Sequence, residues 1–181
     1  GLATPVAIMA GANVAARRGI LIRDAEALEK SGRLTTVVFD KTGTLTEGRV
    51  QVAASAEFKP AADHPPGLAP AVAALAASSR HPVSLAAAAW ANRPLPHGTV
   101  PDATIEVDGW REVRGAGVEA LWQGQPLRFG SQAWLREHQV NLAPGDRFTT
   151  EWSAQAATVL GIAWGPHLIG LLAVRDNLKA N

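Results

Sequence analysis

The sequence predicts an α/β fold, and three observations predict it. Residues 34–39 (Leu-Thr-Thr-Val-Val-Phe) form a short apolar, β-branched run with the texture of a strand buried in a parallel sheet. Two alanine-rich stretches, 70–79 and 82–92, have helix-forming composition and follow a proline-broken segment. Beyond residue 102, alternating apolar and polar runs separated by turn residues read as antiparallel strands. The expectation is an α/β segment interrupted by an inserted α+β portion, an antiparallel sheet flanked by helices.

Residues 1–16 carry no charge and are followed at once by Arg17 and Arg18. Sixteen residues are too few to span roughly 30 Å of hydrocarbon, which takes about 20 in a helix. They suit the last part of a membrane helix with the arginines at its cytoplasmic end, or equally an alanine-rich buried helix. With neither an initiator Met nor a secretory signal, the chain reads as a piece of a longer one. Residues 14–31 show helical periodicity, with Ile20, Leu21, Ala25 and Leu28 near one face and Gly32 as the stop.

The predicted strand 34–39 ends on Asp40, and ligands of open α/β sheets bind beyond the carboxyl ends of strands. Pro60, Pro65, Pro66 and Pro70 then precede the two helical stretches, and another proline-rich segment covers 94–101. Strands are expected at 103–107, 117–122 and 126–129, with a turn at Gln123-Gly124. Ser131 is placed to cap a helix over 131–138. Residues 158–164 and 168–174 read as a hairpin around Gly165-Pro166. No internal repeat is visible.

Composition narrows the function classes. Lys+Arg 17 against Asp+Glu 16 gives a net charge of +1, and the densest basic cluster is Arg17-Arg18 with Arg23. A nucleic-acid partner is therefore not expected. The absence of cysteine excludes a disulfide framework, a thiolate nucleophile and any Cys-ligated metal within these residues, which fits a reducing, cytosolic setting.

The chemistry concentrates in Asp40-Lys41-Thr42-Gly43-Thr44-Leu45-Thr46. A carboxylate at a strand end is an in-line nucleophile, and the glycine-containing turn after it offers backbone N–H groups to phosphoryl oxygens. Lys41 brings positive charge, and Thr42 and Thr44 bring donors, as phosphoryl transfer requires. Mg²⁺ would be held by Asp40 and further oxygens, Thr42 among them. A lone Asp-Lys pair would be a solvated turn; seven consecutive residues of this composition favour chemistry.

This heptapeptide matches the phosphorylation motif of P-type ATPases, and the chain resembles their heavy-metal-transporting branch, nearest its copper-type subgroup. Gly1-Leu2-Ala3-Thr4-Pro5 is similar to the sequence that follows that branch's metal-binding membrane motif, and 18–23 with 27–29 to its connector. His81-Pro82 resembles the branch's His-Pro dipeptide, Gly115-Ala116-Gly117 its Gly-x-Gly, and Phe129-Gly130-Ser131 falls near another family glycine. Residues 170–179 resemble the return into the phosphorylation domain.

The resemblance implies an incomplete haloacid-dehalogenase-like phosphorylation domain with an inserted nucleotide-binding domain. Its parts would be 1–16 as a membrane-helix end, 17–33 as connector, 34–50 and 166–181 as phosphorylation-domain pieces, and 51–165 as the nucleotide domain. Segments near Val50 and Pro166 would hinge them. ATP and Mg²⁺ are the implied cofactors, and the partners are a transported heavy-metal ion, bound outside these residues, and the membrane. The fragment itself would lie on the cytoplasmic side.

In this reading Asp40 accepts the γ-phosphoryl, His81 lies against the adenine and Pro82 fixes its loop. Gly115, Gly117 and Gly130 let the backbone pass close to the nucleotide. Without the resemblance, His81 would read as a surface histidine at a helix start and the glycines as hairpin turns.

One departure concerns the adenine. Where the family commonly has a Glu five residues before the His, this chain has Ala76, so weakened ATP binding is expected. Two rival readings stand beside the pump. A haloacid-dehalogenase-type phosphatase uses a second Asp two residues after the nucleophile, but here that residue is Thr42, which cannot deprotonate water near neutral pH. The other is a non-catalytic nucleotide-binding module, since later family segments that complete the site lie beyond Asn181; no turnover by this piece alone is expected.

Overall fold

The computed structural model describes residues 3–40, 44–60, 64–93 and 105–179. Two compact units result, Gly1–Asp40 and Lys41–Asn181.

In the first unit, helix α1 covers Ala3–Arg17 and helix α2 covers Ala25–Ser31. The single helical stretch expected over 14–31 is thus broken, and Gly19 breaks it. Gly19 takes φ 78°, its N–H donates to Ala16 O at 3.0 Å, and the Ile20 N–H donates to Ala15 O at 2.9 Å. Those two bonds are the Schellman ending of a helix. α2 restarts where the Asp24 carboxylate accepts from the Glu26 N–H at 2.9 Å. No residue of either helix is buried.

Residues 34–40 form no strand, and all are exposed. This corrects the expected strand 34–39. A strand exists only through its neighbours' N–H and C=O groups, and the one sheet among the described residues does not include this segment.

The second unit is built on a six-stranded antiparallel sheet. Its strands are β1 (Thr46–Glu57), β2 (Asp108–Val113), β3 (Gly117–Trp122), β4 (Gln125–Ser131), β5 (Thr158–Trp164) and β6 (His167–Leu178), in the order β1-β6-β5-β4-β3-β2. Helices α3 (Leu68–Ala76), α4 (Pro82–Ala91), α5 (Gln132–Glu137) and α6 (Asp146–Ala154) complete it, with a 3-10 turn at Ala143–Gly145. The residue pair 50/51, expected as a domain junction, lies inside β1.

Alternate side chains of a strand point to opposite faces; β6 uses both, and the register shift against Ile162 and Ala163 of β5 breaks its alternation near Ile169. Ile169, Leu172 and Val174 join Leu68, Val72 and Leu75 of α3 and Ala87 of α4 in one core. Leu168 and Leu171 join Trp134 and Leu135 of α5, with Val140 and Leu142, in a second. Burying a Leu-sized side chain stabilises by about 1.5–3 kcal/mol, so the leucines of α3, β4 and β6 carry much of the fold. α3 lacks a side-chain cap of its own at Gly67; instead the Glu57 carboxylate accepts from the Leu68 N–H at 3.0 Å, tying the end of β1 to the helix.

The β3–β4 turn falls at Gln123-Gly124 as expected, with φ of 50° and 74°, the conformation that matches the twist of the strands it joins. Ser131 caps α5, accepting the Trp134 N–H at 3.3 Å. The β5–β6 hairpin turns at Gly165-Pro166. Strand β2 departs from expectation: residues 105–107 are not in a strand, 103 and 104 lie outside the described residues, and pairing begins at Asp108. Gly109, at φ 61°, coincides with a register shift between Asp108 and Arg111, so the pairing run includes charged residues that blur its pattern.

Candidate functional site: a cleft at the open end of the sheet

The turn between α3 and α4 sits over the ends of β2, β3 and β4, and between them lies a cleft of about 260 Å³. Its walls include Val83, Val118, Phe129 and Leu160, and its polar groups include His81, Ser84, Glu112, Ser131 and Thr158. A concave, mostly apolar space with a few convergent polar groups is the form of a small-molecule site.

His81 is placed by its role at the start of α4. Its Nδ1 accepts the Val83 N–H at 3.2 Å, and its own N–H donates to Ser79 Oγ at 3.2 Å. A neutral ring that accepts at Nδ1 carries its proton on Nε2, leaving that donor for a ligand. Pro82 occupies the first helical turn, where its missing N–H costs nothing and its fixed φ suits the helix; it sets up α4 and is not part of the cleft lining.

All three expected glycines, Gly115, Gly117 and Gly130, line the same cleft as His81. They do different jobs. Gly115 turns the chain between β2 and β3 at φ 75°, with nothing within 4 Å of where a Cβ would stand; the neighbouring Ala116 N–H closes the turn on Val113 O at 3.0 Å. Gly117 and Gly130 are partners across β3 and β4. A Cβ on Gly117 would strike Phe129 O and come within 2.6 Å of Gly130 Cα, and one on Gly130 would strike Ala116 O. Their bareness therefore serves, first, the approach of two strands; the expectation had assigned it to the approach of a nucleotide alone.

Glu112 and Ser79 were not anticipated. Ser79 is buried, with its hydroxyl 3.5 Å from Glu112 Oε2. β2 is held over α3 by the Trp110 indole N–H, which donates to Leu75 O at 2.8 Å. The available signal was the position of Glu112 three residues before Gly115, on the segment feeding the Gly-x-Gly turn; it went unread because the strand was expected to end at 107.

The phosphorylation-motif residues are placed differently. Asp40 is exposed at the end of the irregular segment, Thr44 is exposed, and Lys41 and Thr42 lie outside the described residues. Among the described residues no group of three or more His, Asp or Glu side chains could hold a metal ion. The fit for Mg²⁺ thus rests on Asp40 alone, and no chemistry is derived through it. Thr46, which ends the motif, is fully buried and donates to Asp176 Oδ2 at 2.5 Å.

A motif carboxylate at Asp40, followed in the chain by a helix-flanked antiparallel sheet, defines a class. The chain belongs to the haloacid dehalogenase-like hydrolases, a family that residues 34–180 match. Within that class its likeness is to metal-pumping P-type ATPases. It is 32% identical over 187 residues to the probable copper-transporting ATPase PacS of Synechocystis sp., covering 99% of this chain and 24% of that protein. It is 36% identical over 179 residues to the copper-exporting P-type ATPase of Vibrio cholerae, covering 99% of this chain and 19% of that one.

Among solved structures, a zinc-transporting PIB-type ATPase in an E2.Pi state superposes with a TM-score of 0.66 at 29% identity, over 98% of this chain and 27% of its own. The catalytic domain of the CPx-ATPase CopB-B shares the fold, at a TM-score of 0.62 and 20% identity over 94% of this chain and 55% of its own. The resemblance drawn from the motifs thus extends over nearly the whole chain, while the chain spans about a quarter or less of its curated relatives. No helix among the described residues is long and apolar enough to cross a membrane.

Proposed function

We propose that this chain is the nucleotide-binding and phosphoryl-accepting part of an ATP-driven heavy-metal export pump of the copper-transporting kind. The observation that carries the reading is the convergence of His81, Gly115, Gly117 and Gly130 on one cleft, although 49 positions separate the first from the last (130 − 81). The apolar walls suit a flat purine ring, and His81 Nε2–H is a donor for it. ATP fits this set of groups; Mg²⁺ would accompany its phosphates, with Asp40 and Thr42 the residues of this chain expected toward it.

At Asp40 the reaction is a substitution at phosphorus. A carboxylate oxygen forms a bond to the γ-phosphorus as the bond to the ADP oxygen breaks, giving an aspartyl-phosphate and ADP. The exposure of Asp40 leaves its carboxylate accessible to such a group. Thr42, where a phosphatase would have its general base, supports a long-lived intermediate and hence transport over simple hydrolysis. In this reading the parent protein is integral to the membrane, α1 is the cytoplasmic end of one of its helices, and the residues that coordinate the metal lie outside this chain.

The test is phosphoenzyme formation in the full-length pump. Labelled γ-phosphate should be trapped in acid-stable, hydroxylamine-sensitive form and be absent in Asp40→Asn, while nucleotide binding persists. Undiminished labelling of Asp40→Asn would overturn the assignment.

A further inference from the structure

We propose that Glu112 is a specificity-determining residue of the cleft, accepting a hydrogen bond from the 6-amino group of the adenine. The inference rests on the reading of the cleft as the ATP site and names the group that recognises the base.

Among the described residues, the titratable side chains lining the cleft are His81 and Glu112. An ionised carboxylate only accepts hydrogen bonds. The adenine of ATP has one donor group, its 6-amino nitrogen; its other polar ring atoms accept. An acceptor-only side chain beside this base therefore has one favourable partner on it.

The structure also relates that acceptor to His81. The His81 N–H donates to Ser79 Oγ at 3.2 Å, and the Ser79 hydroxyl lies 3.5 Å from Glu112 Oε2. Ser79 is buried, so the relay from the α4 N-terminus to β2 is anchored in the core. The Trp110 bond to Leu75 O holds the same strand against α3. Glu112 is an exposed residue of the cleft lining, so the contact through Oε2 leaves its carboxylate open to a ligand.

α3 supplies no competing carboxylate. It has no acidic residue, and Ala76 is packed in the core. The cleft thus takes its carboxylate from a strand of the sheet, and the weakened ATP binding expected from Ala76 is offset by Glu112.

The experiment measures the affinity of this chain for ATP and for ITP by titration calorimetry without divalent metal, with Glu112→Ala and Glu112→Gln beside the parent. ITP differs at the recognised position, where a carbonyl oxygen replaces the amino group and would face the carboxylate; its one new donor, N1–H, lies on the neighbouring ring atom, off the position of the amino group. The parent should prefer ATP by about tenfold, the scale of a hydrogen bond to a charged group at a partly solvated site. Glu112→Ala should lose about that factor for ATP and little for ITP, and Glu112→Gln, which can donate to the carbonyl, should erase the preference. Equal weakening of both nucleotides, or an unchanged ratio, would overturn the role of Glu112. Amide spectra recorded alongside separate the two claims: ATP shifts at residues 129–131 with an unchanged ratio reject Glu112 alone, whereas no shifts there reject the cleft as the nucleotide site and the inference with it.

Discussion

Gly117 and Gly130 stand opposite each other in the β3–β4 ladder, and a methyl group on either would run into the backbone of the other strand or the turn before it. The two strands close the floor of the cleft only because both positions are bare. Gly115, two residues away, needs a positive φ but has open space around it.

The three glycines should therefore respond differently to alanine. Gly117→Ala and Gly130→Ala force backbone to move, and each should cost upwards of about 2–3 kcal/mol, the range of overpacked cores. Gly115→Ala meets only the left-handed conformation, about 1–2 kcal/mol. Urea unfolding should rank Gly115→Ala as the mildest; equal costs would contradict the steric account.

Glu119, 9% exposed, binds Arg111 at 2.6 Å and Arg128 at 2.5 Å across three adjacent strands. Burial pushes its carboxyl up, but the Arg111 hydrogen bond and the Arg128 charge outweigh this, and the net direction is down from 4.5. A carboxyl lowered in the folded state contributes stability that is present above its unfolded value and lost as the pH falls through the folded one. The parent should thus lose stability below about pH 4.5 in a phase that Glu119→Gln lacks. Glu119→Ala, which leaves the half-buried Arg128 without its carboxylate, should cost about 1–3 kcal/mol at neutral pH; thermal melts across pH 3–7 check both.

Thr46 and Asp176 join the first and last strands, and the Arg49 N–H also donates to Asp176 Oδ1 at 3.0 Å. Thr46→Val keeps the shape and removes the hydroxyl, so it should destabilise by about 1–3 kcal/mol. Thr46→Ser should recover most of that. Hydrogen exchange at residues 171–176 should quicken in the valine variant only.

Glu57 caps α3 from a neighbouring element. Glu57→Ala should cost about 1 kcal/mol, as lost helix caps do, with fraying confined to the first turn of α3 by amide exchange. Loss throughout the helix would show that the core contacts of Leu68 and Leu75 hold it less firmly than their burial implies.

The parts of this fold legible in the sequence are those where local and tertiary preferences agree. α3 and α4 are alanine-rich and their inward faces are buried; Gln123-Gly124 and Gly165-Pro166 are turn pairs between apolar runs; Ser131 caps what it precedes. Residues 34–39 have strand composition, but a strand also needs a partner, which composition cannot supply. α6 was missed because none of its residues is buried and its sequence is polar. The break at Gly19 was overridden by the apolar spacing on either side of it. At the site, His81 and the glycines were found through motif order, whereas Glu112 owes its place to a long-range juxtaposition with Ser79, 33 positions away, that no local pattern encodes.

The most direct test of the account is an ATP titration of the isotopically labelled chain followed by amide spectra. The account predicts saturable shifts at His81, Gly115, Gly117 and residues 129–131, abolished when His81→Ala is combined with Glu112→Ala. Saturable binding with shifts confined to other surfaces, such as the Trp164–His167 turn, or no binding at millimolar ATP, would contradict it.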